Sequence, residues 1–312
     1  MFLLTGATGY IGRAVRAVLE QQRLPVRLVT RSGSDAHGGA GVHYDMSQPH
    51  APPHGLFDNV SCVIHCAGLA HRQASEAAYR AINIEAAGRL AEAAAASGVS
   101  HFIYLSSLNV VPAGTLSADE SADRLPQPSE PYAASKWQAE KALQQICAAR
   151  QMALTIVRPG LVYDTELTAN LATLERLTRW CPVSFPAVGA RSMVSRQDLV
   201  RLLLACALNQ CGAPAGQSVL IATDGECYDA ARVTRGLSRR GRTIALPRFT
   251  PRLGGYLLDW LRGDPWGSAW RGISEAHWCG VPPAVAGWQP KMKLESRHPR
   301  HGHPRHERSA GS

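Results

Sequence analysis

A glycine-rich turn within the first twelve residues constrains the fold more than any other feature of the sequence. It follows the short apolar segment Phe2–Thr5 and precedes a segment, Tyr10–Gln21, whose apolar residues repeat with helical spacing. Glycines in such a turn let backbone N–H groups approach a pyrophosphate, which the N-terminus of the helix also attracts. We therefore predict a dinucleotide-binding loop at this point. Its residues are Gly6, Gly9, Tyr10, Ile11 and Gly12.

Short apolar strands alternate with helical segments through the next 150 residues. The pattern predicts strands at 25–30, 42–44, 60–66, 101–107 and 154–158, and long helices at 76–97 and 132–150. Such alternation is typical of a parallel sheet covered on both faces. We predict a doubly wound α/β (Rossmann) domain over residues 1–160.

The pattern becomes less regular after Pro159, which indicates a smaller, mixed C-terminal substrate lobe over residues 161–290. Helices are expected near 169–179 and 198–208, and a strand near 218–222 is expected to return to the sheet. A Trp-, Pro- and Gly-rich stretch begins at Gly254. Residues 291–312 contain six basic residues, two acidic residues and four histidines with few large apolar residues, so we predict a basic, mobile tail there.

Composition excludes several classes of protein. With 312 residues and 45% hydrophobic content, the chain is neither disordered nor fibrous. No run of about 18 uncharged apolar residues predicts a membrane span, and the turn at Gly6 leaves no room for a signal peptide, so a cytoplasmic location is expected. Much of the net charge of +9 lies in the tail, which argues against nucleic-acid binding. The eight cysteines form no CxxC pair; we expect them to be reduced, and we expect no metal site.

The end of the second strand indicates which dinucleotide is bound. An acidic residue there accepts hydrogen bonds from the ribose 2′-hydroxyl, but this chain has Thr30 followed by Arg31. A guanidinium can pair with a 2′-phosphate, so NADP(H) is predicted over NAD(H). The alternative is that Arg31 points into water.

Tyr132 and Lys136 are four residues apart, which places a phenol and an ammonium on one helical face. The positive charge is expected to lower the pKa of the phenol, so that Tyr132 acts as a general acid or base on a hydroxyl or carbonyl. Ser107, at the end of the fifth strand, can hydrogen-bond the same substrate oxygen.

With these motifs the chain resembles the extended short-chain dehydrogenase/reductase family, particularly its nucleotide-sugar epimerases, dehydratases and 4-ketoreductases. The resemblance implies that Ser107, Tyr132 and Lys136 are catalytic, and it covers residues 1 to about 290. It also implies further cofactor-binding positions, which are Asp45, Met46, Cys66, Ala67, Gly68, Asn83 and Pro159.

The same resemblance implies a substrate site and a dimer. Asn170 and Arg191 match positions that hold the nucleotide and diphosphate of a sugar nucleotide, and Asn109 follows Ser107 toward the sugar. The alternatives to Arg191 for the diphosphate are Arg176, Arg179 and Arg196. The long helices after Glu76 and Tyr132 are expected to form a homodimer interface. The family pattern is altered at Val110–Pro112, at Ser195 and Arg196, and in the tail, which leaves the substrate undefined.

The leading hypothesis is an NAD(P)-dependent enzyme acting at C4 of a nucleotide-linked sugar, as a 4-epimerase or a 4-ketoreductase. The Thr30–Arg31 pair favours the reductase, and the absence of a carboxylate at Leu108 and Asn109 disfavours a dehydratase. A non-catalytic NADP-binding regulator on the same fold is the alternative. Nucleic-acid binding through the tail is a third hypothesis and the weakest.

Overall fold

The computed structural model describes residues 1–33, 41–70, 74–114, 121–164, 167, 169–181, 183–209, 216–238, 243–247, 249–262, 266–267, 270, 274–277 and 280–297. A seven-stranded sheet lies at its centre, and every pairing between its neighbouring strands is parallel. The strand order is β10-β6-β5-β4-β1-β2-β3. The strands are β1 (Phe2–Thr5), β2 (Val26–Thr30), β3 (Val42–His43), β4 (Cys62–His65), β5 (His101–Leu105), β6 (Ala153–Pro159) and β10 (Gln217–Ala222).

Helices cover both faces of this sheet, because its central strands are apolar on both sides. Helices α1 (Tyr10–Gln21) and α6 (Arg196–Asn209) pack in the hydrophobic cluster on one face. Helices α3 (Ala86–Ala96) and α4 (Pro131–Ala149) pack in the cluster on the other. The predicted doubly wound fold is confirmed, and the strand expected near 218–222 does pair with β6 in the sheet.

The segment expected to be one helix over 76–97 is not uniform. It comprises α2 (Glu76–Tyr79), a π-helical turn over Arg80–Glu85 and then α3. The alanine-rich sequence predicts helix but carries no signal for the wider turn. The turn contains Asn83, a predicted site residue.

The C-terminal part forms a smaller lobe with two short parallel strand pairs. Strand β7 (Leu161–Tyr163) pairs with β9 (Met193–Ser195), and β8 (Val183–Ser184) pairs with β11 (Ile244–Ala245). Its other helices are α5 (Ala169–Trp180), α7 (Ala230–Leu237) and α8 (Phe249–Arg262). The stretch after Gly254 therefore begins within a helix, which the sequence analysis did not predict.

The first residues of the predicted tail are packed against the protein. Leu294 is fully buried, and the backbone N–H groups of Lys291 and Met292 donate to Asp198 Oδ2 at 3.1 and 2.9 Å. The prediction of a mobile tail is therefore wrong for residues 291–297, because Leu294 fills the apolar core of the lobe. Residues 298–312 lie outside the described chain. Among the described helices, none has the length and apolar character needed to span a bilayer.

Candidate functional site

The carboxyl ends of β1 and β4 meet where the strand order of the sheet reverses. The chain leaves β1 toward α1 on one face and leaves β4 toward α3 on the other. Loops that diverge in this way open a crevice, which is the usual ligand site of doubly wound sheets. The turn at Gly6 and the segment Cys66–Gly68 line this point.

The glycine turn is shaped to hold an anion. Gly6 has a φ of +70°, and a Cβ on it would lie 2.6 Å from the backbone N of Ala67. A Cβ on Gly12 would overlap the carbonyl oxygen of Gly6. Gly9 is the N-cap of α1 and makes no side-chain capping hydrogen bond, so this helix begins, with Tyr10 and Ile11, directly after the glycine turn. These residues fit the pyrophosphate of a dinucleotide.

The segment after β4 is fixed to β1 by hydrogen bonds. The N–H of Ala67 donates to Thr5 Oγ1 at 3.2 Å, and the N–H of Cys66 donates to the Thr5 carbonyl at 3.3 Å. Thr5 Oγ1 also lies 2.7 Å from Nδ1 of His65, whose pKa is lowered to about 3 by burial. The segment after β4 is therefore held to β1 by hydrogen bonds, and the His65 imidazole beside it is uncharged at neutral pH.

The residues predicted near the adenosine end lie on neighbouring strands. Arg31 is exposed directly after β2, and Asp45 follows β3, where its carboxylate accepts from Ser47 Oγ at 2.7 Å. These hydrogen bonds, with a smaller electrostatic contribution from Arg31, lower the pKa of Asp45. The side chain of Met46 is buried under the sheet edge. Arg31 and Asp45 thus lie close enough to interact electrostatically at this edge of the sheet.

Ser107, which follows β5, lies close enough to the phenol of Tyr132 to lower its pKa. Ser107 Oγ also accepts from the N–H of Asn109 at 3.2 Å, which begins a short 3₁₀ turn, and the side chain of Asn109 is exposed. Tyr132 lies in the first turn of α4, which is capped by Glu130 through a 2.9 Å bond from the N–H of Ala133. Ser107 and Tyr132 therefore lie next to each other at this edge of the sheet.

The expected effect of Lys136 on Tyr132 is not found. Burial raises the pKa of Tyr132 to about 12, and the opposing contribution comes from the hydrogen bond with Ser107. Lys136 Nζ instead donates to the carbonyl of Leu105 at 2.9 Å and lies 4.6 Å from the ring centroid of Tyr104. In the chain by itself the pKa of Tyr132 is therefore shifted in the direction opposite to the prediction, because desolvation disfavours the phenolate.

Lys136 is itself strongly perturbed. Its side chain is almost fully buried, and desolvation lowers its pKa to about 8, although Cys66 and Glu140 act in the opposite direction. A perturbed lysine in a cleft is typical of functional sites. Its ammonium is directed toward the crevice floor, next to Gly68, where a Cβ would lie 3.2 Å from Nζ.

Asn83 connects the π-helical turn to the site. Its Oδ1 accepts from the N–H of Leu69 at 2.7 Å, and its Nδ2 donates to the Leu69 carbonyl at 3.1 Å and to Ser135 Oγ at 2.9 Å. Asn83 is buried, and these three hydrogen bonds satisfy its side-chain amide. It therefore positions the loop after Gly68 relative to the helix that carries Tyr132 and Lys136.

The predicted substrate residues are less closely grouped. The backbone of Arg191 forms bridges to Tyr228 and His277 in the lobe, and its charge contributes to a lowered pKa of His277. Asn170 lies in α5, but its side chain is outside the described part of the structure. Pro159 ends β6 at the same edge of the sheet as Ser107. The structure places Arg191 in the lobe without a described contact to Ser107 or Tyr132.

Arg196, one of the arginines that the sequence offered as an alternative to Arg191, lies beside the glycine turn. Its guanidinium lies 4.7 Å from the ring centroid of Tyr10, in the glycine turn, and forms an ion pair with the largely buried Asp164. The sequence could not show that Arg196 contacts Tyr10. In the structure it joins the glycine turn to the segment after β7.

Comparisons with known proteins agree with this architecture. Residues 2–174 match the family model described as NAD dependent epimerase/dehydratase family. A UDP-glucose 4-epimerase from Vibrio cholerae is 30% identical over 268 residues, which cover 80% of this chain and 77% of that protein.

Solved structures show the same fold. MoeE5 in complex with UDP-glucose and NAD has a TM-score of 0.68 at 22% identity, with 95% of each chain covered. The UDP-glucose 4-epimerase from Thermotoga maritima, solved with UDP-glucose, has a TM-score of 0.65 at 17% identity, again with 95% of each chain covered. The chain is therefore an enzyme of the NAD dependent epimerase/dehydratase family.

Proposed function

We propose that this enzyme acts at C4 of a nucleotide-linked sugar, as a 4-epimerase or a 4-ketoreductase. The observation that carries the proposal is the placement of Ser107 close to Tyr132, on the helix whose buried Lys136 directs its ammonium toward Gly68 in the crevice. The similarity to a UDP-glucose 4-epimerase supports a sugar nucleotide as substrate and favours epimerisation.

Each residue of the trio has a distinct chemical role in this proposal. The phenolate oxygen of Tyr132 would accept the proton of the C4 hydroxyl when that carbon is oxidised, and the phenol would return the proton in the reverse step. Ser107 donates a hydrogen bond to the same oxygen, and Lys136 supplies a fixed positive charge and a donor to the cofactor ribose. When bound, an oxidised dinucleotide supplies the hydride acceptor and a second positive charge beside the phenol.

That second charge matters because the phenol pKa of about 12 is too high for a base at neutral pH. The phenol of Tyr132 is largely desolvated, so an added positive charge acts on it through a medium of low polarity. The site is thus built to remain protonated until the dinucleotide is in place. The diphosphate would be held by the turn from Gly6 to Gly12, and the adenosine end by Arg31 and Asp45.

The choice of dinucleotide is a separate part of the proposal. The family is described as NAD dependent, so the enzyme uses a nicotinamide dinucleotide, without distinction between NAD(H) and NADP(H). Arg31, exposed after β2, supports NADP(H), whereas similar proteins solved with NAD support NAD(H). We further propose a cytoplasmic homodimer formed through α3 and α4, which pack against each other on one face of the sheet.

A substrate panel tests the reaction. The full chain is incubated with UDP-, GDP- and dTDP-linked sugars and their 4-keto forms, and nicotinamide absorbance and product stereochemistry are followed. Inversion at C4 without net absorbance change identifies an epimerase, and stoichiometric oxidation of the reduced cofactor identifies a ketoreductase. Dinucleotide binding without turnover of any sugar would favour the alternative, a non-catalytic regulator.

The residue roles are tested on the best substrate from that panel. Tyr132→Phe is expected to retain dinucleotide binding and lose about 10²- to 10⁴-fold in kcat, the usual contribution of a general acid or base. Tyr256→Phe removes a phenol hydroxyl on α8, in the substrate lobe, and serves as the matched control. Full activity of Tyr132→Phe would remove the catalytic assignment.

A further inference from the structure

The segment from Asp45 to Gln48 lies at the edge of the central sheet, where the sheet itself gives it little support. The preceding strand, β3, has two residues and pairs with β2 at that edge. Within the segment, Asp45 Oδ1 accepts from the N–H of Ser47 at 3.0 Å and from Ser47 Oγ at 2.7 Å. These bonds fix the shape of the turn, but they do not join it to another element.

Arg89, on helix α3, reaches this segment from the helical layer of the fold. Its Nη2 donates to the carbonyl oxygen of Gln48 at 3.0 Å and lies 3.5 Å from the carbonyl oxygen of Met46. The side chain of Met46 is buried in the same hydrophobic cluster as Leu90, the next residue of α3. The guanidinium therefore joins two peptide groups of the edge segment to a packed helix.

Charge pairing does not explain the placement of Arg89. In the part of the chain that the structure describes, no carboxylate accepts from its guanidinium, and its buried Nε has no acceptor. The nearby Glu85 is paired with Arg80 instead. The acceptors described for Arg89 are the two carbonyl oxygens, so its described contacts serve the segment after β3.

The same helical segment also holds the loop on the other side of the glycine turn. Asn83 lies six residues before Arg89, in the π-helical turn that continues into α3, and it binds the N–H and carbonyl of Leu69. The strand order places β1, which leads into the glycine turn, between β4 and β3. One continuous helical element therefore fixes the loops that follow both of these strands.

We propose that Arg89 is a positioning residue for the dinucleotide, because it holds the segment from Asp45 to Gln48 ready to receive the adenosine end. It acts through this segment. A segment that is fixed before binding loses less conformational entropy when the ligand binds, which raises affinity. The inference rests on the adenosine placement in the proposed function and does not depend on the sugar reaction.

Replacement of Arg89 by Met tests the proposal in the full chain, since Met keeps an apolar stem and removes the donors. Fluorescence titration with the reduced dinucleotide is expected to give a dissociation constant about 5- to 10-fold higher. Hydrogen–deuterium exchange without ligand is expected to rise in residues 44–50 and to stay unchanged in residues 1–12. Arg80→Met, at an exposed position of the same helical segment, is the matched control.

An unchanged dissociation constant, a loss equal to that of the control, or an equal rise of exchange in the glycine turn would overturn the proposal. Arg89→Lys, which keeps the charge and one donor group, is a second variant and is expected to lie between wild type and Arg89→Met.

A double-mutant cycle tests whether Arg89 acts through the edge segment. Asp45→Ala is expected to weaken dinucleotide binding, and adding Arg89→Met to it is expected to cost much less than Arg89→Met costs alone. Independent losses that simply multiply would overturn the proposal. Binding that depends on Arg89 in an enzyme that turns over no sugar would refute the proposed reaction and leave this inference standing.

Discussion

Glu140 and Arg158 form an ion pair that is closed to solvent, with Nη2 of Arg158 2.5 Å from Oε2 of Glu140 and Nε 3.1 Å from Oε1. Ser106 Oγ donates to the same carboxylate at 2.5 Å. Glu140 lies one turn beyond Lys136 on α4, and Ser106 precedes Ser107. The network therefore fastens α4 to β6 and to the end of β5 directly behind the proposed catalytic residues.

Replacement of Glu140 by Gln is expected to lower the free energy of unfolding by about 3 to 5 kcal/mol, because it leaves the Arg158 charge buried without its counter-charge. Urea denaturation measures the change. Ser106→Ala removes one hydrogen bond from the same carboxylate and is expected to cost only about 1 kcal/mol. If Glu140→Gln lowers the free energy of unfolding by less than Ser106→Ala does, the ion pair contributes little to stability.

The buried ammonium of Lys136 predicts a pH-dependent stability. Its pKa is lowered by desolvation to about 8 in the folded chain, from an ordinary value of 10.5. Between these two values the unfolded chain binds more protons than the folded chain, so stability rises with pH.

Relative to Lys136→Met, the wild type is expected to gain about 3 kcal/mol of unfolding free energy between pH 7 and pH 10.5. Urea denaturation of both proteins across that range measures it. Lys141→Met, which removes a half-exposed lysine from the same helix, controls for the loss of a lysine from α4. A wild-type advantage that shrinks with rising pH would contradict the assigned direction.

The sequence predicts the first half of the fold well, because the signals there are local. Gly6 and Gly12 enforce one turn, and the apolar strands after it are buried on both faces and so appear as short continuous runs. The order of those strands follows from right-handed crossovers once the strands are found. Helix α8 was missed because Pro251, Gly254 and Gly255 lower helix propensity, which the packing of the buried side overcomes.

The candidate site, too, could be predicted from the sequence only where its residues are close together along the chain. Spacing alone placed Tyr132 and Lys136 on one helical face, but it could not show that Nζ of Lys136 bonds to Leu105 or that burial dominates the phenol pKa. The contact of Arg196 with Asp164 joins residues 32 positions apart, and that with Tyr10 spans 186 positions. Such pairs depend on how the lobe packs against the Rossmann domain, which no local pattern encodes.

Arg196 is expected to help retain the dinucleotide. Its guanidinium lies over the ring of Tyr10 and is held by Asp164, so it ties the glycine turn to the lobe. Arg196→Ala is expected to raise the dissociation constant of the cofactor about 3- to 30-fold, the range of a partly desolvated cation–π contact.

Fluorescence titration with the dinucleotide measures this effect. Arg196→Lys, which keeps the charge but not the planar group, is expected to lie between wild type and Arg196→Ala. Arg176→Ala removes an exposed arginine from α5 and controls for net charge. Unchanged cofactor affinity in Arg196→Ala would mean that the contact is structural only.

Arg31 is expected to set the preference between the two dinucleotides. It is exposed directly after β2 and close enough to Asp45 to contribute to its lowered pKa, so a 2′-phosphate bound beside it would gain a charge-assisted hydrogen bond. Arg31→Asp is expected to weaken NADP(H) binding about 10- to 100-fold, since it removes that bond and adds repulsion, and to change NAD(H) binding little. Arg23→Asp carries the same change in charge before the opposite end of β2 and serves as the control. Tighter binding of NADH than NADPH by the wild type would show that Arg31 points into water and that the adenosine pocket selects the unphosphorylated ribose.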